Sequence, residues 1–426
     1  MDHELLKAVI YDQHTVIRSA VIVPRTRYTF DPEANYVLVG LRRAGKSTLL
    51  HDRARKLVEQ GVGWEQIIYI DFEDERLSDM TAADLNDILA VQCELSTRKG
   101  YFFFDEIQNI RGWEKFARRM ADSGERVYIT GSNAHMLSGE IASVLGGRYL
   151  EKRISPYSFE EYLTARGIGY GPEERTSTRG RGYIAGAFAE YLRYGGLPEV
   201  IRYTAKRDYI SSVYQKILLG DIVTRKKLRN DYAMKLLIRK IAETVMNETS
   251  FSNLYGSLKA AGVPVSKDAV IEYVGHAKEA YLLFDIKDLF SKFGEREGTP
   301  KYYFSDTGLL DLFLVHKTNA LLENAAAIWL TDRYPEGVYY LRSSKTGIDV
   351  DFYVPERGLA VQVCRSLSAE AYDREVGTLV RLASMMPEAK KLLIATLNER
   401  RTIEKDGYTI EAVPLDLLML DDMLLT

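Results

Sequence analysis

The chain has 426 residues, of which 46% are hydrophobic and 27% are charged, and its formal net charge is −3 at pH 7. This length is too great for a single hydrophobic core and predicts roughly three or four domains, while the composition is typical of folded globular proteins. A net charge this close to zero excludes nucleic-acid binding through the whole surface and leaves it to a local patch.

The sequence indicates a cytoplasmic protein without membrane contact. It contains no run of about 18 apolar residues, so we do not expect a membrane-spanning helix. The first residues, MDHELLKAVIYDQH, include early acidic residues and no apolar block, unlike a secretory signal. The two cysteines, Cys93 and Cys364, are too few for a disulfide framework or a zinc site, so we expect reduced thiols.

A phosphate-binding loop is predicted at residues 40–47, where GLRRAGKS matches G-x-x-x-x-G-K-[ST]. The preceding NYVLVG predicts a buried strand, and the following STLLHDRARKLVEQG predicts an amphipathic helix. Backbone N–H groups and the helix N-terminus would bind the phosphates of ATP, Lys46 would reach the β- and γ-phosphates, and Ser47 would ligate Mg²⁺. The predicted nucleotide-binding residues are Gly40, Leu41, Arg42, Arg43, Ala44, Gly45, Lys46, Ser47 and Thr48.

Two acidic residues end the next strongly apolar strand, YFFFDEIQNI at residues 101–110. A continuous apolar run is typical of a strand buried on both faces of a parallel sheet. We predict that Asp105 holds Mg²⁺ and that Glu106 orients and deprotonates the attacking water. Further strands, IIYIDF at 67–72 and RVYITGSN at 126–133, alternate with helices and predict a three-layer α/β domain.

Polar side chains at the end of RVYITGSN lie where a γ-phosphate sensor would be expected. These are Thr130, Ser132 and Asn133, and Asn133 is the candidate catalytic residue among them. The alternative interpretation of Ser132 and Asn133 is a turn or a helix cap.

The middle of the chain carries a basic cluster and then a helix-turn-helix pattern. Eight basic residues against two acidic ones lie within residues 202–229, which predicts either a solvated helix face or a phosphate-binding surface. Residues 248–290 read as a helix, a short turn with Gly262 and a second helix capped by Ser266. Two further strands, YLLFDI and KYYFSD, would then form a β-wing. The second helix is not strongly basic, so DNA contact and protein contact both remain open.

These segments, in this order, resemble a family of prokaryotic AAA-type ATPases that join an ATPase core to a C-terminal domain of unknown function. The matching phrases are GLRRAGKSTLL, YIDFEDERL, YFFFDEIQNIRGWE, ITGSNAHML, GGRYLEKRISPYSFEEYL, YGGLPEV, KYYFSDTGLL, LLENAAAIWL and GIDVDFYV. The resemblance implies that Arg148 is an arginine finger or phosphate sensor, from its own chain or a neighbour's, whereas the alternative is a surface ion pair. It also implies that Pro198 packs on the adenine, and it supports a winged helix.

The C-terminal part alternates strands and one helix in an order that resembles the PD-(D/E)xK nuclease core. In that fold two acids hold magnesium and a lysine positions water. Asp351 matches the first acid and Glu323 a helix-borne acid, whereas Gln362 stands at the second acid's position and Cys364 at the lysine's. An uncharged amide and a thiol replace two essential groups, so we predict a vestigial, inactive nuclease site.

The predicted fold is therefore α/β, with a P-loop NTPase three-layer parallel-sheet core followed by a helical lid, a winged helix and a restriction-endonuclease-like α/β domain. The expected boundaries are 1–155, 156–235, 236–308 and 309–426. The predicted function is a Mg²⁺-dependent ATPase that couples nucleotide state to DNA or to a partner, including a second copy of the chain. The alternatives are a nucleotide-dependent scaffold that does not act on DNA and, ranked last, an ATP-dependent nuclease.

Overall fold

The computed structural model describes residues 1–131, 139–224, 226, 228, 230–292, 294, 298–315 and 318–421, with only the backbone described at 139, 140 and 142. Within these ranges the chain forms two compact units. The first contains Met1–Ser155 together with Glu279–Tyr281, and the second contains Pro156–Lys278 together with Leu282–Thr426. No helix in the described ranges is both long and apolar enough to cross a membrane.

The first unit is built on a five-stranded parallel sheet with the order β2-β3-β4-β1-β5. Its elements in chain order are α1 (His3–Ser19), β1 (Asn35–Val39), α2 (Lys46–Glu59), β2 (Ile67–Asp71), α3 (Leu85–Leu95), β3 (Tyr101–Asp105), α4 (Trp113–Asp122), β4 (Arg126–Gly131), α5 (Gly139–Leu145) and β5 (Tyr149–Arg153). The predicted α/β class and the parallel-sheet core are confirmed. Helix α1, which packs on β2 and α2, was not predicted from the sequence.

Aromatic side chains hold the sheet of the first unit together. In register across four strands lie Tyr69, Phe103, Tyr128 and Tyr36, and their neighbouring ring centroids are 6.0, 4.9 and 6.0 Å apart. This ladder packs against α1 and α2, whereas Phe104 on the opposite face contacts Phe116 of α4. Because side chains alternate along a strand, the apolar run 102–104 covers both faces and produces three layers.

The second unit begins with helices and ends with a large mixed sheet. Its helices are α6 (Phe159–Ala165), α7 (Pro172–Thr176), α8 (Thr178–Tyr194), α9 (Lys206–Lys216), α10 (Asp231–Thr244), α11 (Phe251–Ala260), α12 (Lys267–Glu279), α13 (Thr307–Asp311), α14 (Thr318–Arg333), α15 (Ala369–Met385) and α16 (Leu415–Leu418). A π-helical segment, Ile217–Thr224, continues α9. Its strands are β6 (Leu283–Asp288), β7 (Lys301–Phe304), β8 (Tyr339–Ser343), β9 (Ile348–Val354), β10 (Leu359–Val363), β11 (Lys391–Thr396), β12 (Arg401–Lys405) and β13 (Tyr408–Pro414).

The eight strands of this mixed sheet run in the order β12-β13-β11-β10-β9-β8-β6-β7. Strands β8, β9 and β10 pair antiparallel, whereas β10, β11 and β13 are parallel, and α15 packs on the sheet over an apolar core. The hairpin β6–β7, predicted as a wing, pairs with β8 through Lys287 and Asp288. One sheet therefore contains strands from both sides of the boundary that the sequence predicted between residues 308 and 309. Strands β12 and β13 were not predicted.

Two glycine-containing segments far apart in sequence join within the second unit. Asp306 accepts hydrogen bonds from the backbone N–H of Gly196 at 2.7 Å and of Leu309 at 3.1 Å, which also caps α13. Gly195 has φ +74°, and a Cβ there would lie 2.0 Å from Asp306 Oδ1. Glycine at this position is thus required by the close approach of a buried carboxylate.

Candidate nucleotide site

The phosphate loop turns sharply between β1 and α2. Gly40 has φ +143°, and a Cβ there would lie 2.1 Å from the backbone oxygen of Ile154. Arg43 and Gly45 also have positive φ, 65° and 94°. A loop with these left-handed residues turns its N–H groups to one side, which suits an anion at the N-terminus of a long helix.

Lys46 is the first residue of α2 and is 5% exposed. Its Nζ donates hydrogen bonds to the backbone oxygens of Gly40 at 3.0 Å and Leu41 at 3.1 Å. The ammonium group thus lies over the loop itself, within reach of the space where the phosphates would bind. Of the other predicted loop residues, Leu41 and Ala44 are buried, and Arg42 forms a 3.5 Å ion pair with Glu73.

Arg25 anchors the loop from a segment in which sequence reasoning found no site residue. It is 5% exposed and donates to the backbone oxygens of Ala44 at 2.9 Å and Ser155 at 2.8 Å. The guanidinium group therefore ties the phosphate loop to the chain that leaves β5. Only the tertiary contact identifies this residue, because no motif surrounds it.

Asp105 lies at the carboxyl end of β3 and is 4% exposed. Its carboxylate accepts hydrogen bonds from the hydroxyl groups of Thr130 and Tyr69, with Tyr69 Oη 2.8 Å from Oδ2, and the nearby Ser47 hydroxyl acts to lower the pKa of this carboxyl. Burial raises the pKa of Asp105, and the charge of Glu106 raises it further. The structure thus brings together the hydroxyl and the carboxylate that were predicted to hold Mg²⁺, and this donor set fits that ion.

Glu106 follows Asp105 with a left-handed backbone, φ 52° and ψ 39°. Its N–H donates to Thr130 Oγ1 at 3.0 Å, and Thr130 in turn donates to Asp105. The Glu106 carboxylate accepts from the side-chain amide of Gln108. A non-glycine residue in this conformation is held there by its surroundings, and such positions concentrate at functional sites.

Asp71 was not predicted as a site residue, although it ends the neighbouring strand directly opposite Asp105. Burial, together with the charges of Asp105 and Glu106, raises the pKa of Asp71 to about 6. Three carboxyl groups therefore share this edge of the sheet. The phrase IIYIDF carried the signal, because its acid ends a buried parallel strand as Asp105 does.

Arg148 lies near the amino-terminal ends of the strands of this sheet, whereas the three acids lie at the carboxyl ends. It precedes Tyr149, which pairs with Asn35 at the start of β1, whereas the phosphate loop follows the end of β1. At 3.3 Å per residue the two ends are roughly 17 Å apart. Arg148 forms an ion pair with Asp122. Asn133 lies outside the described residues.

Pro198 lies in the second unit, as the first residue of a short 3₁₀ helix, Pro198–Arg202. It is half-buried, and the glycines before it contact Asp306. These contacts give the GGLP segment, residues 195–198, a structural role in its own unit. Its predicted packing on the adenine remains a prediction.

The four residues of the predicted vestigial nuclease site lie in the second unit. Glu323 of α14 and Asp351 of β9 both face Lys301, with Lys301 Nζ 3.6 Å from Glu323 Oε1 and 3.3 Å from Asp351 Oδ1. Gln362 is 3% exposed and hydrogen-bonds to backbone, and Cys364 is buried, which raises the pKa of its thiol to about 12. Burial lowers the pKa of Lys301, but the two carboxylates outweigh this and raise it, so the amine is charged. Sequence reasoning missed Lys301.

Comparison with protein families supports the assignment of the phosphate loop. A protein-family model described as an AAA domain matches residues 33–163, and one described as a domain of unknown function (DUF8612) matches residues 185–319. An uncharacterized protein of Methanocaldococcus jannaschii is 29% identical over 428 residues, covering 96% of this chain and 94% of the relative. Among solved structures, a Walker-type ATPase of Pyrococcus abyssi aligns with a TM-score of 0.45 and 16% identity, covering 70% of this chain and 100% of that one.

An uncharacterized protein of Haemophilus influenzae is 33% identical over 279 residues, covering 64% of this chain and 67% of the relative. The matched AAA domain contains the whole phosphate loop and the acidic end of β3. The chain therefore belongs to the same protein family as this Haemophilus influenzae protein, and its first unit is a P-loop AAA-type nucleotide-binding domain.

Proposed function

We propose that the chain is a Mg²⁺-dependent ATPase whose hydrolytic site lies at the carboxyl edge of the five-stranded sheet. The observation that carries this proposal is the pair of hydrogen bonds by which Thr130 joins the Asp105 carboxylate to the backbone N–H of Glu106. Thr130 thereby connects the carboxylate proposed to hold Mg²⁺ to the residue proposed as general base. A phosphate-binding loop alone would support nucleotide binding, whereas these hydrogen bonds between Asp105, Thr130 and Glu106 also support hydrolysis.

Each group has a distinct role in the proposed reaction. The loop N–H groups and Lys46 bind the phosphates, with the Lys46 ammonium exchanging its contacts to Gly40 and Leu41 for phosphate oxygens. Ser47 and Asp105 would hold Mg²⁺, which offsets the charge that develops on the phosphates. Asp105 is buried at the end of β3, whereas Ser47 is partly exposed.

Glu106 would accept the proton of the attacking water. Its backbone is left-handed directly after β3, and Gln108 holds the carboxylate by a hydrogen bond. General-base catalysis of this kind contributes roughly 10²–10⁴-fold to the rate. The Thr130 hydroxyl fixes the backbone of Glu106, so it positions the base without touching the reacting atoms.

Phosphate release by purified variants tests this proposal. We expect Lys46→Ala to lose nucleotide binding and turnover, and Glu106→Gln to keep ATP binding while turnover falls roughly 100-fold or more. Lys56→Ala and Glu59→Gln are matched controls, because both residues lie on the same helix but near its other end. Equal phosphate release by the wild type, Lys46→Ala and Glu106→Gln would refute hydrolysis at this site.

The position of Arg148 bears on assembly. Since it lies roughly 17 Å from its own phosphate loop along the strand direction, a catalytic role requires the nucleotide of a neighbouring chain. We therefore propose that, if Arg148 is a finger, it acts in trans within a homo-oligomer. Light scattering with a non-hydrolysable ATP analogue should show assembly, and Arg148→Ala should lower turnover in the assembled protein only.

We also propose that nucleotide state is coupled to DNA or to a protein partner through the second unit. Helices α11 and α12 followed by the hairpin β6–β7 have the order of a winged helix, and Ser266 Oγ caps α12 by accepting from the N–H of Ala269 at 3.1 Å. The strands β8 to β11 with α15 have the order expected of a PD-(D/E)xK-like domain. We propose the winged helix and the PD-(D/E)xK-like domain on the basis of this order of elements.

A protein partner is the second candidate, and the exposed face of α12 favours it. That face carries one basic, two acidic and one apolar side chain: Lys267, Asp268, Ile271 and Glu272. In the basic cluster, Lys206 and Arg207 form ion pairs with Glu190 and Asp311 of the same unit. These pairings reduce the positive charge that phosphates would meet.

Salt dependence separates the two candidates. DNA contacts to phosphates predict binding that weakens steeply as salt rises, because counterions are released on binding. Fluorescence anisotropy with labelled single- and double-stranded DNA, with and without ATP, measures this slope. Absence of DNA binding at low ionic strength would favour the protein-partner alternative.

A further inference from the structure

The second unit contains a fully buried lysine between two carboxylates. Lys301 lies on β7, is 2% exposed and contacts Glu323 and Asp351 at 3.6 and 3.3 Å. Its Nζ also lies 5.4 Å from the centre of the Tyr340 ring. The three charged groups come from a hairpin, a helix and a sheet strand, so the fold itself places the ammonium between the acids.

We infer that the Lys301 ammonium takes the place of a divalent metal ion, so that the Glu323–Asp351 acid pair is closed to Mg²⁺ and Mn²⁺ in the folded protein. This exchange adds to the loss of the second acid and of the lysine at positions 362 and 364, because the ammonium neutralises the remaining acids. It is independent of ATP hydrolysis, because all of these residues lie in the second unit.

The geometry around the acids supports this assignment. A magnesium ion needs carboxylate oxygens at about 2.0–2.1 Å and several waters, whereas Lys301 Nζ already fills the gap between the two oxygens. Glu323 is 3% exposed and also accepts a hydrogen bond from Tyr303 at 2.8 Å. A second cation in this space would be repelled by the ammonium and would have little access to solvent.

The remaining atoms near the acids are bound to backbone. Asp351 Oδ2 accepts from the N–H of Val363 at 2.9 Å. The Gln362 amide accepts from the N–H of Asp351 and donates to the backbone oxygen of Asp349, both at 2.9 Å. Gln362 thus clamps β9 to β10 instead of facing a ligand. Within the described ranges, no group of three or more His, Cys, Asp or Glu side chains is arranged to hold a metal ion.

Manganese binding to the full-length, nucleotide-free protein tests the inference. Electron paramagnetic resonance of free Mn²⁺ gives the number of bound ions per chain. We expect the wild type and Asp351→Asn to bind the same amount. Lys301→Ala removes the internal cation and makes room for a metal ion, so we expect this variant to gain a Mn²⁺ site. The double variant Lys301→Ala/Asp351→Asn should lack that site. Lys345→Ala, at an exposed turn lysine, is the matched control and should behave as the wild type.

A thermal-shift measurement accompanies the titration. Mn²⁺ should raise the melting temperature of Lys301→Ala and leave that of the wild type unchanged. Binding to the wild type that Asp351→Asn abolishes would overturn the inference, and so would a folded Lys301→Ala that gains no site. If Lys301→Ala does not fold, the comparison of the wild type with Asp351→Asn decides alone, with equal binding supporting the closed site.

Discussion

Replacing Gly195 by alanine tests whether the GGLP segment is primarily a structural contact. Gly195 has φ +74° and ψ −171°, a region that only glycine adopts readily. A Cβ there would lie 2.0 Å from Asp306 Oδ1, far inside van der Waals contact. Either the carboxylate or the backbone must move, and both are buried.

The size of the effect follows from the bonds that would be strained. Asp306 accepts from Gly196 N–H at 2.7 Å and from Leu309 N–H at 3.1 Å. Hydrogen bonds to a charged group contribute roughly 1.5–3 kcal/mol each, and the glycine-only backbone costs alanine roughly 1–3 kcal/mol. Because the carboxylate would keep part of its contacts, we expect the free energy of unfolding to fall by roughly 3–5 kcal/mol.

Gly186→Ala is the matched control. Gly186 is an exposed residue inside α8, the helix that ends directly before Gly195, and a Cβ at Gly186 would meet nothing within 4 Å. Alanine at an open helical position should stabilise by roughly 0.5–1 kcal/mol. Urea unfolding followed by circular dichroism, with hydrogen exchange of peptides covering 301–312, measures both variants. Equal unfolding midpoints for Gly195→Ala and Gly186→Ala would refute the reasoning.

Three further predictions concern polar groups of the two units. Thr130→Val should speed hydrogen exchange at the Glu106 amide and lower the free energy of unfolding by roughly 1–3 kcal/mol. Thr130→Ser keeps the hydroxyl and should resemble the wild type. Unchanged exchange in Thr130→Val would contradict the proposed link. The pKa of Asp71 is raised from 3.8 to about 6, so the folded state holds its proton more tightly and stability should fall as pH rises through this window. Asp71→Asn should flatten that fall in urea midpoints measured from pH 4 to 7, and an unchanged slope would count against it. Arg181→Ala leaves the buried Asp416 carboxylate unpaired and should lower the free energy of unfolding by roughly 3–5 kcal/mol. The double variant Arg181→Ala/Asp416→Ala should lose less stability. Equal losses would show that pairing is not the cause.

The sequence predicted those parts of the site that lie on single elements. The phosphate loop and the acids after β3 follow one strand each, so spacing and apolar runs suffice to place them. Asp71 was missed because a lone acid at a strand end is common, and only the register beside Asp105 gives it meaning. Arg25 was missed because its partners are backbone oxygens 19 and 130 residues away.

The second unit shows the same limit more strongly. The sequence predicted the hairpin β6–β7 as a wing. It could not show that β6 also pairs with β8, because a local pattern carries no information on which sheet a strand joins. Lys301 was therefore assigned no role, although its neighbours Glu323 and Asp351 were both identified as acids of interest. The contact of GGLP with Asp306, 110 residues further along, is likewise invisible to spacing.

The shared sheet has a practical consequence for anyone who expresses the C-terminal part alone. A fragment that starts at residue 309 would lose β6 and β7, so β8 would become an open edge available for pairing with other molecules. The same cut would remove Lys301 and leave Glu323 and Asp351 facing each other without a counter-charge. Metal binding by such a fragment would therefore be a product of the truncation, and a fragment that starts before β6 is the appropriate protein for biochemical comparison.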